Sequence, residues 1–357
     1  MSFSASNNRI ANRRPKAVAL LSGGLDSRLA VRLILDQGVE VLALHYESPL
    51  ALSEGGEEAG AARCAARVLG IPLEVHNTWD EILRAVNRPR HGHGKGVNPC
   101  IDCRIIHFRL AKAVMEREGA DFIVSGEVLG QRPMSQHKRA LATIEREAGV
   151  EGKVLRPLSA LLFPPTEPER RGLVDRRRLR GFKGRNRKPQ MALAEELGLK
   201  EYPSPAGGCV LTEPGFGVRY RRLQRFLADK GLGEIDVNRA KVLVSGRHFV
   251  SSEGEWITIA RNDQENCRLL ELQEAHRIFA AVGYAPQVGG PVAAVLAAGS
   301  AGSETLREAA DLAARYGQGR GADTVRVTFA DAVRGTEAEL AASPRRGYAL
   351  ADVLERV

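Results

Sequence analysis

Apolar residues in the first half of the chain fall into short unbroken runs, separated by stretches where they recur every three or four positions. Residues 17–21 (AVALL), 39–46 (VEVLALHY) and 121–125 (DFIVS) are such runs, with a shorter one at 73–75. Runs of this kind fit strands covered on both faces. Between them, helical spacing predicts helices over 26–37, ended by Gly38, over 57–70, and over 104–118, closed by Gly119. Strand and helix in alternation predict an α/β fold, a doubly wound parallel sheet with ligands at the carboxyl ends of its strands. The turns at Ser22 and Gly126 belong to that edge.

The pattern changes after residue 162. Pro164, Pro165 and Pro168 break regular structure, and residues 190–198 read as a short helix. A basic helix over 219–229 and strands over 241–245, 248–251 and 256–259 form a small α+β module. Residues 283–290, with glycine at both ends, read as a linker. The tail reads strand 291–297, helix 304–316 and strand 324–329. The predicted domains are 1–162, a nucleotide-type domain; 163–216, a basic linker; 217–284, a small α+β module; and 285–357, a second small C-terminal module.

Charge alters this picture more than overall composition does. The chain has 357 residues, 43% of them hydrophobic, and a formal net charge of +9, which favours an anionic partner such as nucleic acid. Ten positive side chains crowd into 170–188: Arg170, Arg171, Arg176, Arg177, Arg178, Arg180, Lys183, Arg185, Arg187 and Lys188. That density suits contacts to a phosphate backbone, and the bland alternative is a solvated face. No apolar run approaches the ~20 residues of a membrane span, and 1–16 lacks the apolar core of a signal peptide. With five cysteines, too few and odd for a disulfide framework, a cytoplasmic protein with no membrane partner is expected.

The chemistry concentrates in two places. Ser22-Gly-Gly-Leu-Asp-Ser27 joins a buried strand to a helix start. Gly23 and Gly24 permit positive φ and close backbone approach to a phosphate, and the serines and helix N-terminus add donors. The G-x-x-x-x-G-K-[ST] spacing of a Walker loop is absent. The second place is cysteine: Cys100 and Cys103 in Asn98-Pro-Cys-Ile-Asp-Cys-Arg104, and Cys209 after Gly207-Gly208. Three thiolates suit a [4Fe-4S] cluster with one open iron, with a persulfide or disulfide relay, zinc, or an inert structural role as alternatives. Cys64 is expected in the core, Cys267 without a partner, and His91 and His93 as loop residues.

S-G-G-L-D-S, then N-P-C-x-x-C-R, then Ser125-Gly-Glu-Val-Leu-Gly-Gln-Arg-Pro-Met-Ser-Gln136, then S-P-A-G-G-C resembles the PP-loop ATP pyrophosphatases, in particular the tRNA thiouridine synthetases, over residues 15–215. The tail from Gly290 resembles the RNA-binding module of the NFACT proteins. The resemblance implies a tRNA sulfurtransferase that adenylates a uridine carbonyl and then inserts sulfur from sulfide or a cysteine desulfurase system. It implies ATP with its pyrophosphate on Ser22, Gly23, Gly24 and Ser27, magnesium positioned by Asp26, and the base near Leu44 and His45. Gly126, Gln131 and Arg132 would line the same edge, Cys100, Cys103 and Cys209 would handle sulfur, and Arg176–Arg178, Arg180, Lys183, Arg185, Arg187 and Lys188 would grip tRNA. Two other functions fit the motifs less fully: a PP-loop synthetase or amidase acting on a small molecule, and a non-catalytic RNA-binding adaptor. The oligomeric state is not legible.

Overall fold

Along β1 (Lys16–Leu20), successive side chains enter two different cores. Ala17 and Ala19 pack into one cluster with Leu29 and Ile34, whereas Val18 and Leu20 pack into another with Phe108 and Ile144. The period-two alternation of a strand explains the split, and apolar residues at both parities explain why the sequence shows an unbroken run. A computed structural model of the chain describes residues 13–47, 59–200, 202, 209–345 and 351–352. It divides into two compact units: residues 1–94 with 98–208, and residues 95–97 with 209–357.

In the first unit, β1 is followed by α1 (Leu25–Leu35), β2 (Glu40–Glu47), α2 (Gly60–Leu69), β3 (Leu73–Asn77), α3 (Trp79–Asn87), α4 (Cys100–Arg117), β4 (Phe122–Ser125), α5 (Lys138–Ala148) and β5 (Val154–Leu155). The five strands are parallel, in the order β3-β2-β1-β4-β5. The expected doubly wound sheet is therefore present, with α1 on one face and α4 and α5 on the other. Strand order reverses between β1 and β4. The connections leaving their carboxyl ends depart in opposite directions, which opens a crevice there.

Residues 163–208 of the segment read as a basic linker continue this unit, and 209–216 belong to the second. The former contain the short α6 (Glu167–Arg170) and α7 (Lys188–Glu196), and Val174, Leu179, Leu193 and Ala194 are buried in the α1 core. Their few apolar residues do the anchoring, and their arginines had masked them in the sequence.

The second unit contains α8 (Pro214–Asp229), α9 (Val237–Leu243), β6 (Arg247–Val250), β7 (Trp256–Ile259), α10 (Asp263–His276), β8 (Ala281–Tyr284), β9 (Ala293–Leu296), α11 (Ser303–Tyr316), β10 (Val325–Asp331), β11 (Thr336–Ala342) and β12 (Ala351–Asp352). All seven strands form one antiparallel sheet, ordered β11-β10-β8-β9-β7-β6-β12. The boundary drawn at 284/285 thus runs through a single sheet. Gly283, expected in a linker, lies within β8, where a Cβ would come 2.5 Å from the Phe329 ring; glycine here marks a close approach, not a flexible joint. The strand expected over 241–245 is helix α9 instead. Asp236 accepts from the Arg239 amide at 2.8 Å and caps it, a local signal that outweighs the β-branched residues.

Candidate active site

The turn after β1 is held open by backbone geometry. Gly23 has φ +79°, and a Cβ there would lie 2.3 Å from the Ala61 carbonyl carbon of α2. Only glycine combines that dihedral with that proximity. Gly24 follows in extended conformation as the N-cap of α1, without a side-chain cap, so the first amides of α1 face outward as an anion site. The Ser27 hydroxyl donates to the Gly24 carbonyl at 2.9 Å and stands 3.3 Å from the Ser22 hydroxyl. Arg28 is buried and donates through Nε to the Gly23 carbonyl at 2.8 Å, fixing the turn from behind.

The loop after β4 closes against this turn. A Cβ on Gly126 would come 2.7 Å from the Ser27 backbone. Behind Gly126, buried Glu127 accepts from Arg156 Nε at 3.0 Å, and Arg156 also pairs with Glu145. A buried arginine held by two carboxylates stiffens the loop at a place where losing one partner would strand a charge.

Asp26 stands where the two loops meet. Its Oδ2 accepts from Gln131 Nε2 and from Arg187 Nη2, each at 2.9 Å. The other atoms of this group, Asp26 Oδ1, Gln131 Oε1 and Arg187 Nε, are buried and have no hydrogen-bond partner among the described residues. Buried polar atoms are normally satisfied, so this cluster is shaped for a ligand. Arg187 was read as a tRNA contact, and the structure pairs it with Asp26. Only the three-dimensional path of the basic segment reveals this. Gly184 donates to the Leu129 carbonyl at 2.7 Å and Lys183 bridges to Leu129, which lays residues 183–187 along the β4 loop.

At the end of β2, His45 Nδ1 lies 3.1 Å from the Leu21 carbonyl. The Leu44 side chain is buried in the core and its carbonyl accepts the Leu21 amide at 2.8 Å, so Leu44 offers no side-chain contact to a base. Arg132 is exposed, with its amide on the Gln136 side chain at 3.0 Å.

Cys100 and Cys103 occupy the first turn of α4, which begins earlier than residue 104. Asn98 Nδ2 donates to Cys100 Sγ at 3.1 Å. Cys103 Sγ is 3.9 Å from Nε2 of His107, one helical turn on. Burial, with Arg104 and His45 nearby, pushes His107 down to about 3, so its imidazole is neutral. It stacks on Tyr46 with ring centroids 4.2 Å apart, and burial pushes that phenol up. Asp102, between the cysteines, is buried and accepts from the Arg90 and His91 amides at 3.2 and 3.1 Å. His91 pairs with Glu147 at 3.0 Å and His93 bonds the Val86 carbonyl at 2.9 Å. Both act as loop residues, as expected.

Cys209 belongs to the second unit, is exposed, and precedes a single 3-10 turn. Gly207 and Gly208 lie outside the described residues. None of the five cysteines is in a disulfide. Among the described residues, no three His, Cys, Asp or Glu side chains come together to hold a metal. Cys100 and Cys103 are thiols three residues apart on α4, and Cys209, in the second unit, is exposed. Cys64 is exposed, because Ala62, Ala65 and Ala66 form the buried stripe of α2 and residue 64 falls off it.

The remaining basic residues divide by environment. Arg176, read as a tRNA contact, pairs with Glu169 and donates to the Ala160 and Phe163 carbonyls at 3.0 and 2.8 Å, so it braces the fold. Arg178 donates to the Asp36 carbonyl and Arg180 reaches Glu196, at 2.9 and 3.4 Å. Arg177 is exposed and, among the described residues, pairs with Asp175. Lys183, Arg185 and Lys188 are exposed. No helix among the described residues is long and apolar enough to cross a membrane.

Two family models match the chain. Residues 13–161 match "Thiamine biosynthesis protein (ThiI)", and residues 246–348 match "NFACT protein RNA binding domain". Each match covers less than half of the chain, the first lying, residues 95–97 aside, within the first unit and the second within the second unit. A probable tRNA sulfurtransferase of Methanothermobacter thermautotrophicus is 33% identical over 152 residues, 42% of this chain and 37% of that one. A tRNA-specific 2-thiouridylase of Xanthobacter autotrophicus is 29% identical over 250 residues, 65% of this chain and 59% of that one. The chain thus spans less than two thirds of either relative. Among solved structures, a 4-thiouridine synthetase–RNA complex with bound ATP is 28% identical, with a TM-score of 0.39 over 56% of this chain and 46% of that one.

Proposed function

We propose that the chain is an ATP-dependent tRNA sulfurtransferase that makes thiouridine by adenylating a uridine carbonyl. The observation that carries the reading is the glycine turn in the β1/β4 crevice, faced by the partnerless atoms of Asp26, Gln131 and Arg187. The names of the relatives, the NFACT-type domain and the net charge of +9 point to RNA as the other substrate.

The residues divide the work by chemistry. The outward amides of α1, with Ser22 and Ser27, bind the β- and γ-phosphates. Asp26, with its buried Oδ1 left without a partner among the described residues, would hold magnesium. The uridine carbonyl oxygen attacks the α-phosphorus, the bond to the β-phosphate oxygen breaks, and pyrophosphate leaves into the loop that binds it. This converts the oxygen into an AMP leaving group, which sulfur then displaces at carbon. The exposed cations Lys183, Arg185 and Lys188 hold tRNA phosphates without reading bases.

Cys100, Cys103 and Cys209 handle the sulfur. A [4Fe-4S] cluster on these three thiolates would supply an open iron site for a hydrosulfide. In the relay alternative, a cysteine desulfurase system transfers sulfane sulfur to the thiolate of Cys209 or Cys100, and the terminal sulfur of that persulfide attacks the carbon. A remaining thiol then releases the thiouridine and is left as a disulfide, which an external dithiol must reduce. His107, neutral beside Cys103, is a hydrogen-bond partner there and not a charged activator of the thiol.

The test incubates protein purified without oxygen with ATP, magnesium, sulfide and unmodified tRNA, then measures pyrophosphate and digests the tRNA to nucleosides. Pyrophosphate released in step with thiouridine is expected, and ATP turnover that leaves the tRNA unmodified would overturn the assignment. Iron at about four per chain supports the cluster, and a colourless protein with about one zinc overturns it.

A further inference from the structure

The arginine-rich segment reaches the nucleotide crevice at one point, and the chemistry of that point is unusually complete. Arg187 Nη2 and Gln131 Nε2 both donate to Oδ2 of Asp26, at 2.9 Å each. What remains buried without a partner is one donor, Arg187 Nε, and two acceptors, Asp26 Oδ1 and Gln131 Oε1. A simple anion would satisfy the donor and be repelled by the carboxylate. A simple cation would satisfy the acceptors and be repelled by the guanidinium. A ligand carrying both signs, with an anionic oxygen beside a hard divalent cation, satisfies all three.

We propose that Asp26, Gln131 and Arg187 form a latch for magnesium-bound pyrophosphate, and that the Asp26–Arg187 ion pair is its closed form. Binding exchanges partners. The guanidinium leaves the carboxylate for the phosphate oxygens, and the carboxylate turns to the magnesium. No covalent bond changes. Arg187 is then the one member of the basic run that serves the nucleotide and not the RNA, and it comes from the N-cap of α7, whose Leu193 and Ala194 pack into the α1 core. A residue anchored through the helix packed behind the loop can swing its guanidinium without moving its backbone. The inference rests on the proposed nucleotide chemistry, but it concerns pyrophosphate recognition alone, and its pyrophosphate titrations need no tRNA.

The probe is inorganic pyrophosphate, titrated by calorimetry into the full chain with and without magnesium, for wild type, Arg187→Gln, Arg187→Lys, Asp26→Asn and the double variant Asp26→Asn/Arg187→Gln. Thermal unfolding of each variant checks that it is folded. Arg187→Gln should weaken magnesium–pyrophosphate at least tenfold while leaving the salt dependence of tRNA binding unchanged. Arg187→Lys should restore part of the loss. Asp26→Asn should tighten metal-free pyrophosphate, because the guanidinium no longer has a carboxylate to hold it. That gain should disappear in the double variant, which distinguishes the latch from a loss of charge repulsion at Asp26. The latch is overturned if Arg187→Gln binds pyrophosphate like wild type, if it lowers the tRNA salt slope by about one counterion, or if the Asp26→Asn gain persists in the double variant. Wild type that binds magnesium–pyrophosphate through Arg187 but never thiolates tRNA would overturn the sulfurtransferase reading and leave the latch standing. Wild type that binds no pyrophosphate overturns both.

Discussion

Gly126 lies so close to Ser27 that the two loops of the crevice share one surface: a Cβ on the glycine would stand 2.7 Å from both the Ser27 amide nitrogen and its Cα. The obstacle is backbone at a helix start, which cannot rotate away as a side chain would. Gly126→Ala should therefore displace the phosphate loop, lower ATP-dependent pyrophosphate release at least tenfold and destabilise the first unit by ~1–3 kcal/mol. Gly299→Ala, with nothing within 4 Å of the new methyl, should change neither. Steady-state turnover and denaturant melts of both variants provide the check.

Asp26 and Ser27 bear on chemistry more directly. Asp26→Ala and Ser27→Ala should each reduce tRNA-dependent pyrophosphate release by ~10²-fold or more, the scale of removing a group aimed at developing charge. Asp26→Asn separates the roles of this residue. It keeps a side-chain oxygen to accept from Gln131 and removes the charge that attracts magnesium, so it should melt near wild type while losing turnover. An active Asp26→Asn enzyme would contradict a metal role for the carboxylate.

Among the basic residues, exposure separates partner contacts from braces. Neutralising Lys183, Arg185 and Lys188 together, all exposed, should weaken binding to every tRNA alike and flatten the salt dependence by up to ~3 counterions. Arg176→Ala should leave that slope unchanged and lower the melting temperature, because the buried Glu169 carboxylate loses its partner. Equal slopes for wild type and the triple variant would place the RNA surface elsewhere.

The second unit carries an acid-sensitive core. His248 is buried among Trp256 and Thr258, and burial, with Arg219 nearby, pushes it down to about 3. An unfolded histidine titrates near 6.5, so between these values the unfolded chain binds the extra proton. Stability from this group is full above pH 6.5 and falls as pH drops toward 3, at up to ~1.4 kcal/mol per pH unit. Urea melts of wild type and His248→Gln between pH 7.5 and 4.5 should show a steeper acid loss in wild type. Parallel curves would contradict the assignment.

What the sequence disclosed, and what it hid, follow from the range of the interactions involved. The β1 turn was legible because every residue it needs lies within six positions, and the parallel sheet because burial on both faces leaves unbroken apolar runs. Helix α4 was read as starting at residue 104, because Pro99, its N-cap, and the cysteine pair look like a loop. The pairing of Arg187 with Asp26 was hidden because the two lie 161 positions apart, and in a run of ten cations nothing local separates one that turns inward. The pairing of Arg176 with Glu169 was hidden in the same run. Gly283 shows the reverse error, where a residue common in linkers marks the close passage of Phe329 within a sheet.

That single sheet restricts how the chain can be divided. Strand β8 pairs only with β9 and β10, both of which follow it in sequence. A chain ending at residue 284 would keep β8 and remove each of its neighbours, leaving two raw hydrogen-bonding edges and the buried side of Ala281 and Val282 open to water. Exposed strand edges recruit other chains. Such a fragment would be expected to precipitate and not to report on the isolated domain, so a dissection into parts should cut ahead of α8 and keep β6 through β12 together.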